Sequence, residues 1–212
     1  MLKIYSFETL PSTQKWLIGK IQEDSVEIPC AVITEMQTDG IGSRNNSWIG
    51  KKGNFFASIA IFEDQLPNDL PVTATSIYFA YLMKNSLEKF GSKVWVKWPN
   101  DLYIDTSKVG GCITVKKGKV LIVGIGINIV NAPLDFGVLD IDVSTSKLLQ
   151  NFLKRVEEIP SWKEIFSNFR LEFKKSKEFY THTRSEKLSL NDAILNEDGS
   201  LTIGNRRIVS LR

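Results

Sequence analysis

The apolar positions of the first 130 residues occur in short runs with β-type alternation, separated by polar turns. The run at 2–7 predicts a strand, and Ser12 has the residue type of an N-cap for a helix with Trp16, Leu17 and Ile21 on one face. Further strands are predicted at 30–36, 54–62, 94–97, 102–104, 112–115 and 120–130. Residues 38–53, rich in Gly, Asn, Ser and Lys, predict a long surface loop.

Helical periodicity appears in three longer stretches. A helix beginning near Pro71 carries Phe79, Met83, Leu87 and Phe90 on one face. Two further apolar stripes, at 148–156 and 162–173, predict helices whose apolar faces belong to the core. From about residue 186 the runs become short and alternating, which predicts a small β-rich cap.

These elements predict an α+β fold: a mixed β-sheet with helices packed on one side, plus the small C-terminal β cap. We assign residues 1–183 to the main domain and residues 184–212 to the cap, which has the character of a truncated SH3-like unit. A cap of that length is too short to build its own core, so it must pack against the main domain.

Composition limits the cellular context and the partners. Hydrophobic residues make up 42% of the 212 positions and charged residues 24%, as in ordinary globular proteins. No apolar run approaches the roughly 20 residues of a membrane span, and no signal peptide is evident, so we expect a cytoplasmic protein without membrane contact. The net charge of +3 does not argue for nucleic acid, and Cys30 and Cys112 are expected to be buried free thiols.

The single histidine excludes several catalytic classes. His182 stands in a polar stretch that forms no metal or nucleophile motif. A Ser-His-Asp or Cys-His mechanism, or a histidine-rich zinc site, would need that residue. Chemistry carried by positioning and electrostatics, as in phosphoryl and nucleotidyl transfer, is therefore favoured.

Two segments place cations beside small or polar residues. In Lys97–Asp101 (KWPND), Asn100 and Asp101 are suited to a ribose hydroxyl or to phosphate-bound Mg²⁺, and Lys97 to a phosphate; the segment could equally be a strand end with a polar turn. In 108–111 (KVGG), Lys108 precedes two glycines, Gly110 and Gly111, so an anion could approach both the ammonium and the backbone N–H groups. A simple β-bulge is the alternative.

Two glycine-rich segments complete the candidate chemistry. In the run 124–128 (GIGIN), Gly124 and Gly126 leave one strand face bare, so a flat group could lie there; the run is not a dinucleotide fingerprint. The 38–53 loop exposes backbone N–H groups to anions and ends in an aromatic side chain that could close over a base, but it is not a P-loop. Its candidate residues are Gln37, Gly40, Gly42, Arg44 and Trp48.

Taken together, these segments resemble biotin protein ligases. The specific part of the resemblance is KWPND followed closely by the lysine-glycine segment, and the likeness extends over nearly the whole chain. The matching segments, in order, are 12–14 (STQ), 37–48, 97–101, 108–111 and 124–128, with 209–212 (VSLR) resembling the family's C-terminal cap. The resemblance implies a fold related to class II aminoacyl-tRNA synthetases, with 1–183 as the biotin- and ATP-binding catalytic domain.

The resemblance also implies a two-step reaction. Biotin and ATP, with Mg²⁺, would form biotinyl-5′-AMP and pyrophosphate, and a lysine of a biotin carboxyl carrier protein, as in acetyl-CoA carboxylase, would then take the biotin. Lys108 would be the catalytic residue, and Asp101 the residue nearest Mg²⁺. The implied biotin-binding residues are Ser12, Thr13, Gln14, Gln37, Gly40, Gly42, Lys108, Gly110, Gly111 and Gly124. The implied ATP- and adenylate-binding residues are Arg44, Trp48, Lys97, Asn100, Asp101 and Asn128.

The chain departs from the family at the glycine-rich loop. The family usually reads Gly-Arg-Gly-Arg-x-Gly-Arg-x-Trp, whereas residues 40–48 read GIGSRNNSW, with Arg44 as the only cation. This implies looser retention of the adenylate, or a different acyl substrate such as lipoate. A lipoate protein ligase and a non-catalytic biotin-binding module are the alternatives. Some relatives carry an N-terminal DNA-binding domain, and many dimerise at a sheet edge; we expect no DNA binding here, and a homodimer is a further candidate partner.

Overall fold

The fold is built on one mixed β-sheet, seen in a computed structural model that describes residues 2–42, 47–183 and 186–210. Within these ranges the main sheet has eight strands, in the order β1-β2-β4-β8-β7-β6-β5 with β3 added beside β2. Only β1 and β2 pair in parallel; the other neighbours in this part of the chain are antiparallel. The strands are β1 (Lys3–Leu10), β2 (Cys30–Ile41), β3 (Ser47–Gly50), β4 (Phe55–Phe62), β5 (Trp95–Lys97), β6 (Asp101–Ile104), β7 (Ser107–Lys117) and β8 (Val120–Ile127).

Four α-helices accompany the sheet in the described residues. They are α1 (Thr13–Gln22), α2 (Thr75–Glu88), α3 (Thr145–Glu157) and α4 (Trp162–Glu172). Serine hydroxyls cap three of them: Ser12, Ser144 and Ser161 each accept a hydrogen bond from a backbone N–H in the first turn. The N-cap expected at Ser12 is therefore confirmed. None of these helices combines the length and hydropathy needed to cross a lipid bilayer.

The sheet has two unequal faces. Alternate side chains of the central strands, such as Ile59, Val123 and Ile125, face a large core that α2, α3 and α4 cover. The opposite face carries a small cluster in which Leu17 of α1 packs on Val32 and neighbouring residues. The predicted mixed sheet is confirmed, with three helices on one side and α1 as the exception on the other. That second face is incompletely filled by side chains, and the candidate site lies there.

The interpretation of 38–53 as a loop is wrong at 38–41 and 47–50. β2 continues to Ile41 and pairs in antiparallel with β3, with Gln37 opposite Gly50 and Gly40 opposite Trp48. The glycine-rich composition of these residues is unusual for strands. The close approach explains it, because a methyl group at position 50 would lie 2.5 Å from Cβ of Gln37.

The C-terminal residues form two small sheets that pack on the main domain. β9 (Tyr180–His182) pairs with β10 (Lys187–Ser189), and β11 (Ile194–Leu195), β12 (Leu201–Ile203) and β13 (Arg206–Ile208) form a three-stranded sheet. Leu201 belongs to the large core, as expected for a cap without its own core. The division at 183/184 stays a prediction, and the β9–β10 hairpin spans it. Cys30 and Cys112 are buried free thiols, as predicted.

Candidate active site

A cavity lies on the α1 face of the sheet, in front of the first turn of α1. It encloses about 110 Å³ and reaches from that turn to the end of β6. Its walls come from α1, the β2–β3 hairpin, the central strands and the segment that follows β8. The lining residues are Ser12, Thr13, Gln14, Gln37, Ile41, Gly42, Ser47, Trp48, Ser58, Asn100, Asp101, Lys108, Gly111, Cys112, Ile113, Gly124, Ile125, Gly126 and Phe136.

The first turn of α1 is fixed by hydrogen bonds to two strands. Thr13 donates its backbone N–H (2.8 Å) and its hydroxyl (3.1 Å) to Oε1 of Gln37 on β2, and its Oγ1 lies 2.9 Å from Oγ of Ser58 on β4. Gln14 is only 4% exposed, yet its Nε2 has no hydrogen-bond partner. A buried amide without a partner is costly. It therefore marks the place where a ligand oxygen would be bound.

Glycines at the cavity floor let two side chains lie directly on the strand backbone. A methyl group at position 124 would lie 3.1 Å from Oε1 of Gln14, and one at position 126 would lie 2.8 Å from Cε2 of Trp48. The amide of Gln14 and the indole of Trp48 thus rest directly on the strand backbone. Trp48 Nε1 is also buried without a partner. Flat groups do lie against the 124–128 run, and in this structure they are the Gln14 amide and the Trp48 ring.

One carboxylate and two ammonium groups meet at the other end of the cavity. Lys108 Nζ lies 2.6 Å from Asp101 Oδ1, and Lys97 Nζ lies 3.6 Å from Asp101 Oδ2. Asp101 on β6 is therefore held by two cations, which lie on β5 and β7, the strands on either side of β6. The three side chains together carry a net positive charge. Lys108 Nζ also lies 6.0 Å from the centre of the Trp48 ring system. Such a cluster attracts an anion that is brought into the cavity.

The backbone of 97–101 is tied to β7. The Asn100 side-chain amide donates to the Cys112 carbonyl, and Cys112 N–H donates to the Asn100 carbonyl over 2.9 Å. Burial and, to a smaller degree, the Asp101 carboxylate raise the pKa of Tyr103, the residue over whose ring Lys97 lies. Burial likewise raises the pKa of the Cys112 thiol. Both groups therefore stay protonated at neutral pH.

Most of the predicted site residues are brought together. Eleven of them line the cavity: Ser12, Thr13, Gln14, Gln37, Gly42, Trp48, Asn100, Asp101, Lys108, Gly111 and Gly124. Lys97 reaches the site through Asp101. Gly40 and Gly110 lie behind the lining, where methyl groups would approach Trp48 O at 2.6 Å and Gly126 O at 2.7 Å. Arg44 lies outside the described residues.

Asn128 is not on the cavity wall. Its side chain is 1% exposed and donates to the Gly137 carbonyl over 3.2 Å, which braces the segment after β8. Phe136 in that segment does line the cavity. Sequence reasoning missed Phe136, because a lone aromatic in a Pro- and Asp-containing stretch carries no motif. It also missed Ser58, whose inward position follows from strand alternation once the register of β4 is known.

The described residues do not form a protein metal cage. In this part of the chain no three His, Cys, Asp or Glu side chains stand close enough to hold a metal ion together. Asp101 is the only carboxylate among the described lining residues, and both its oxygens face ammonium groups. Magnesium prefers several oxygen ligands and is often bound largely through substrate phosphates. The assignment of Asp101 to Mg²⁺ stays a prediction, and its ion pairs weigh against it.

The biotin/lipoate A/B protein ligase family model matches residues 6–130. The chain belongs to this family. It is 36% identical to the biotin acetyl coenzyme A carboxylase synthetase of Helicobacter pylori, solved with bound biotinylated ATP; the alignment covers 99% of this chain and 100% of that one, with a TM-score of 0.94. The fold of the ligase catalytic domain is thus established over almost all of the chain.

Two curated relatives show how much of a longer ligase the chain represents. The bifunctional ligase/repressor BirA of Escherichia coli is 32% identical over 126 residues, which are 56% of this chain and 38% of BirA. Biotin–protein ligase 2 of Arabidopsis thaliana is 30% identical over 172 residues, 76% of this chain and 50% of that protein. The matched part of the chain therefore spans half or less of these two relatives.

Proposed function

We propose that this protein is an ATP-dependent biotin protein ligase. It forms biotinyl-5′-AMP from biotin and ATP, and then transfers biotin to a lysine of a biotin carboxyl carrier protein, as in acetyl-CoA carboxylase. The observation that carries the proposal is the position of the Lys108 ammonium, 2.6 Å from Asp101 and at one end of a cavity that Gly124 and Gly126 line. The likeness to the H. pylori synthetase supports the choice of substrates.

The geometry suits the first step. Biotin would lie on Gly124 with its ureido ring toward the first turn of α1, where the unpartnered Nε2 of Gln14 would donate to the ureido oxygen. Its carboxylate would then reach Lys108. One carboxylate oxygen attacks the α-phosphorus of ATP, the bond to the bridging oxygen breaks, and pyrophosphate leaves. Lys108 would stabilise the charge that develops at the junction between the carboxylate and the phosphorus.

The second step needs no nucleophile from this chain. The ε-amine of the acceptor lysine attacks the carbonyl of the mixed anhydride, AMP leaves with the bonding electrons, and the amine releases a proton. Catalysis by positioning is consistent with a cavity that no histidine lines among the described residues. Asn100 and Lys97 would contact the phosphates, Asp101 would orient Lys97 and Lys108 toward them, and Trp48 and Phe136 would flank the nucleotide.

Pyrophosphate release in the presence of ATP and Mg²⁺ tests the proposal, with biotin and lipoate supplied separately. Biotin-dependent release, followed by a mass increase of one biotinyl group on a carrier domain, is the expected result. Release with lipoate alone would identify a lipoate ligase, which the family description also covers. No release with either acid would leave a non-catalytic binding module and would refute the proposal.

A further inference from the structure

Asn54 makes an unusual set of contacts with the segment that follows β8. Its Oδ1 accepts hydrogen bonds from three successive backbone N–H groups, those of Ile129 (3.0 Å), Val130 (3.0 Å) and Asn131 (3.3 Å). Its Nδ2 donates to the Asn131 carbonyl over 2.7 Å. The Asn54 side chain is 2% exposed, so one buried amide satisfies four backbone groups of a segment that has no regular structure.

The two residues before Asn54 strengthen the same contact. Asn131 donates its side-chain amide to the Lys52 carbonyl over 3.2 Å. Gly53 has φ +94°, and a methyl group there would lie 3.1 Å from Cγ2 of Val130. Residues 52–54 and 129–131 therefore form one clamp, which we call the Asn54 clamp.

Both sides of the clamp lead directly to the cavity. On one side, residues 52–54 follow β3, which carries Trp48. On the other side, the 129–131 segment continues from Asn128 to Phe136. Asn128 donates to the Gly137 carbonyl over 3.2 Å, and Gly137 N–H donates to the Lys108 carbonyl over 2.9 Å. The clamp thus joins two walls of the cavity, the segments that carry Trp48 and Phe136, and both residues line the cavity together with Lys108.

We propose that Asn54 is a positioning residue for the nucleotide half of the site, acting through the 129–131 segment on Phe136 and on the Trp48 hairpin. The proposal rests on the proposed ligase function. The biotin half, at the first turn of α1, is held by separate contacts among Thr13, Gln37 and Ser58. Loss of the clamp should therefore affect ATP much more than biotin.

Three variants separate positioning from general stability. Asn54→Ala removes all four hydrogen bonds, and Asn54→Asp keeps the acceptor for the three N–H groups but loses the donor to Asn131. Asn196→Ala is the matched control, because the Asn196 amide donates to Ser200 and Thr202 (both 3.0 Å) in the C-terminal sheet, away from the cavity lining. Each is compared with the wild type in thermal unfolding, biotin binding by calorimetry without ATP, and biotin-dependent pyrophosphate release.

We expect Asn54→Ala to raise KM for ATP by about tenfold or more, because the side chains that contact the nucleotide would be displaced. The Kd for biotin should rise by less than about threefold. Asn54→Asp should give a smaller rise in KM, since the three N–H groups keep an acceptor. Asn196→Ala should change neither constant. Equal effects of Asn54→Ala on biotin and ATP, or an equal effect of Asn196→Ala, would overturn the proposal.

Hydrogen exchange gives a readout that does not depend on activity. Asn54→Ala should lose amide protection in both 128–139 and 47–50, and Asn54→Asp should lose less, while Asn196→Ala should match the wild type in both segments. If the wild type shows no biotin-dependent pyrophosphate release, the proposed function fails, but the exchange result still decides the clamp. Loss of protection confined to 129–131 would refute the coupling of the two walls. If Asn54→Ala does not fold, Asn54→Asp alone decides both measurements.

Discussion

The indole N–H of Trp98 donates a 2.8 Å hydrogen bond to the carbonyl oxygen of Gly199, 101 residues further along the chain. The backbone N–H of Trp98 donates to Ser176 Oγ over 3.1 Å, so both N–H groups of this buried residue are held by the C-terminal part of the chain. Trp98 directly follows Lys97 and begins the turn that leads through Asn100 to Asp101. The C-terminal sheet therefore supports the back of the charged end of the cavity.

Trp98→Phe should weaken both folding and activity. It leaves the buried Gly199 carbonyl without its donor, which costs about 1–3 kcal/mol of unfolding free energy. It also loosens the strand end beside Asp101, so kcat/KM for pyrophosphate release should fall. Urea unfolding and steady-state kinetics measure the two effects.

Trp162→Phe is the control for that variant. Trp162 Nε1 donates to the Glu197 carbonyl over 2.7 Å, so it makes the same type of bond to the same sheet but is not part of the site segment. A smaller loss of stability is expected, because Glu197 is exposed whereas Gly199 is buried, and kcat/KM should stay unchanged. An equal loss of activity in both variants would mean that the contact acts only through global stability.

Lys108→Ala should abolish most of the adenylate-forming activity. Removing one group that stabilises developing charge typically lowers kcat about 10²–10³-fold. The rate of pyrophosphate release with biotin and ATP measures the effect. Lys15→Ala is the control, since Lys15 on α1 pairs with Asp39 at the surface and both side chains are exposed. An undiminished rate in Lys108→Ala would contradict the proposed chemistry.

Gly124→Ala should block the biotin end of the cavity. The added methyl group would lie 3.1 Å from Gln14 Oε1 and would occupy the floor, so the Kd for biotin should rise by about tenfold or more. Calorimetric titration with biotin measures this. Gly19→Ala is the control, because nothing lies within 4 Å of its new methyl group and alanine favours helix α1 by about 0.5–1 kcal/mol. Unchanged biotin affinity in Gly124→Ala would mean that biotin does not use this face.

A buried ion pair between α2 and α4 predicts a pH-dependent stability. Lys84 Nζ lies 3.1 Å from Glu88 Oε1 and 3.4 Å from Glu172 Oε1, and Glu172 also accepts from Val96 N–H, next to Lys97. Burial acts to lower the pKa of Lys84, but Glu172 and the other neighbours raise it above its ordinary value of 10.5. Because the folded-state pKa is raised, this stabilisation is complete below about pH 10.5 and is lost as the pH rises through the folded-state pKa.

Lys84→Met should destabilise the protein at neutral pH by about 3–5 kcal/mol, since it leaves Glu172 buried without its cation. Burial already raises the pKa of Glu172, and protonation relieves the penalty. The destabilisation should therefore shrink as the pH is lowered through that raised pKa. Urea unfolding from pH 4 to 9 measures it, with Lys84→Met/Glu172→Gln as the compensated control. A penalty that does not vary with pH would contradict this account.

The arginine-poor loop predicts faster loss of the adenylate. Ser43→Arg restores a cation at a position where the family pattern has arginine, and a cation near phosphate strengthens binding. Dissociation of biotinyl-5′-AMP, followed after dilution into excess unlabelled ligand, should slow by about tenfold, which is roughly 1.4 kcal/mol. Ser43→Gln controls for side-chain size. Equal rates in the wild type and Ser43→Arg would show that retention does not depend on this cation.

The sequence predicted the charged and polar groups of the site better than the backbone and side-chain geometry that positions them. KWPND and the 108–111 segment were recognisable because each places its charged and polar residues within a few consecutive positions. The structure brings Asp101 and Lys108 together across neighbouring strands. The pairing of 37–41 with 47–50 was not predictable, because the glycines that let these strands approach have low strand propensity. The assignment of Asn128 to the nucleotide stays a prediction, because the sequence does not show that its side chain donates to the Gly137 carbonyl.

The glycines at 124 and 126 also have a consequence for the life of the protein in a cell. No side chain projects from either position on the α1 face, and a bound acyl chain would fill the cavity that they line. Ligand present at 100 times its dissociation constant adds about 2.7 kcal/mol to folding stability. A stability difference of that size changes the fraction of molecules that are unfolded and open to proteases. Under the proposed function, scarcity of biotin would then shorten the half-life of the protein.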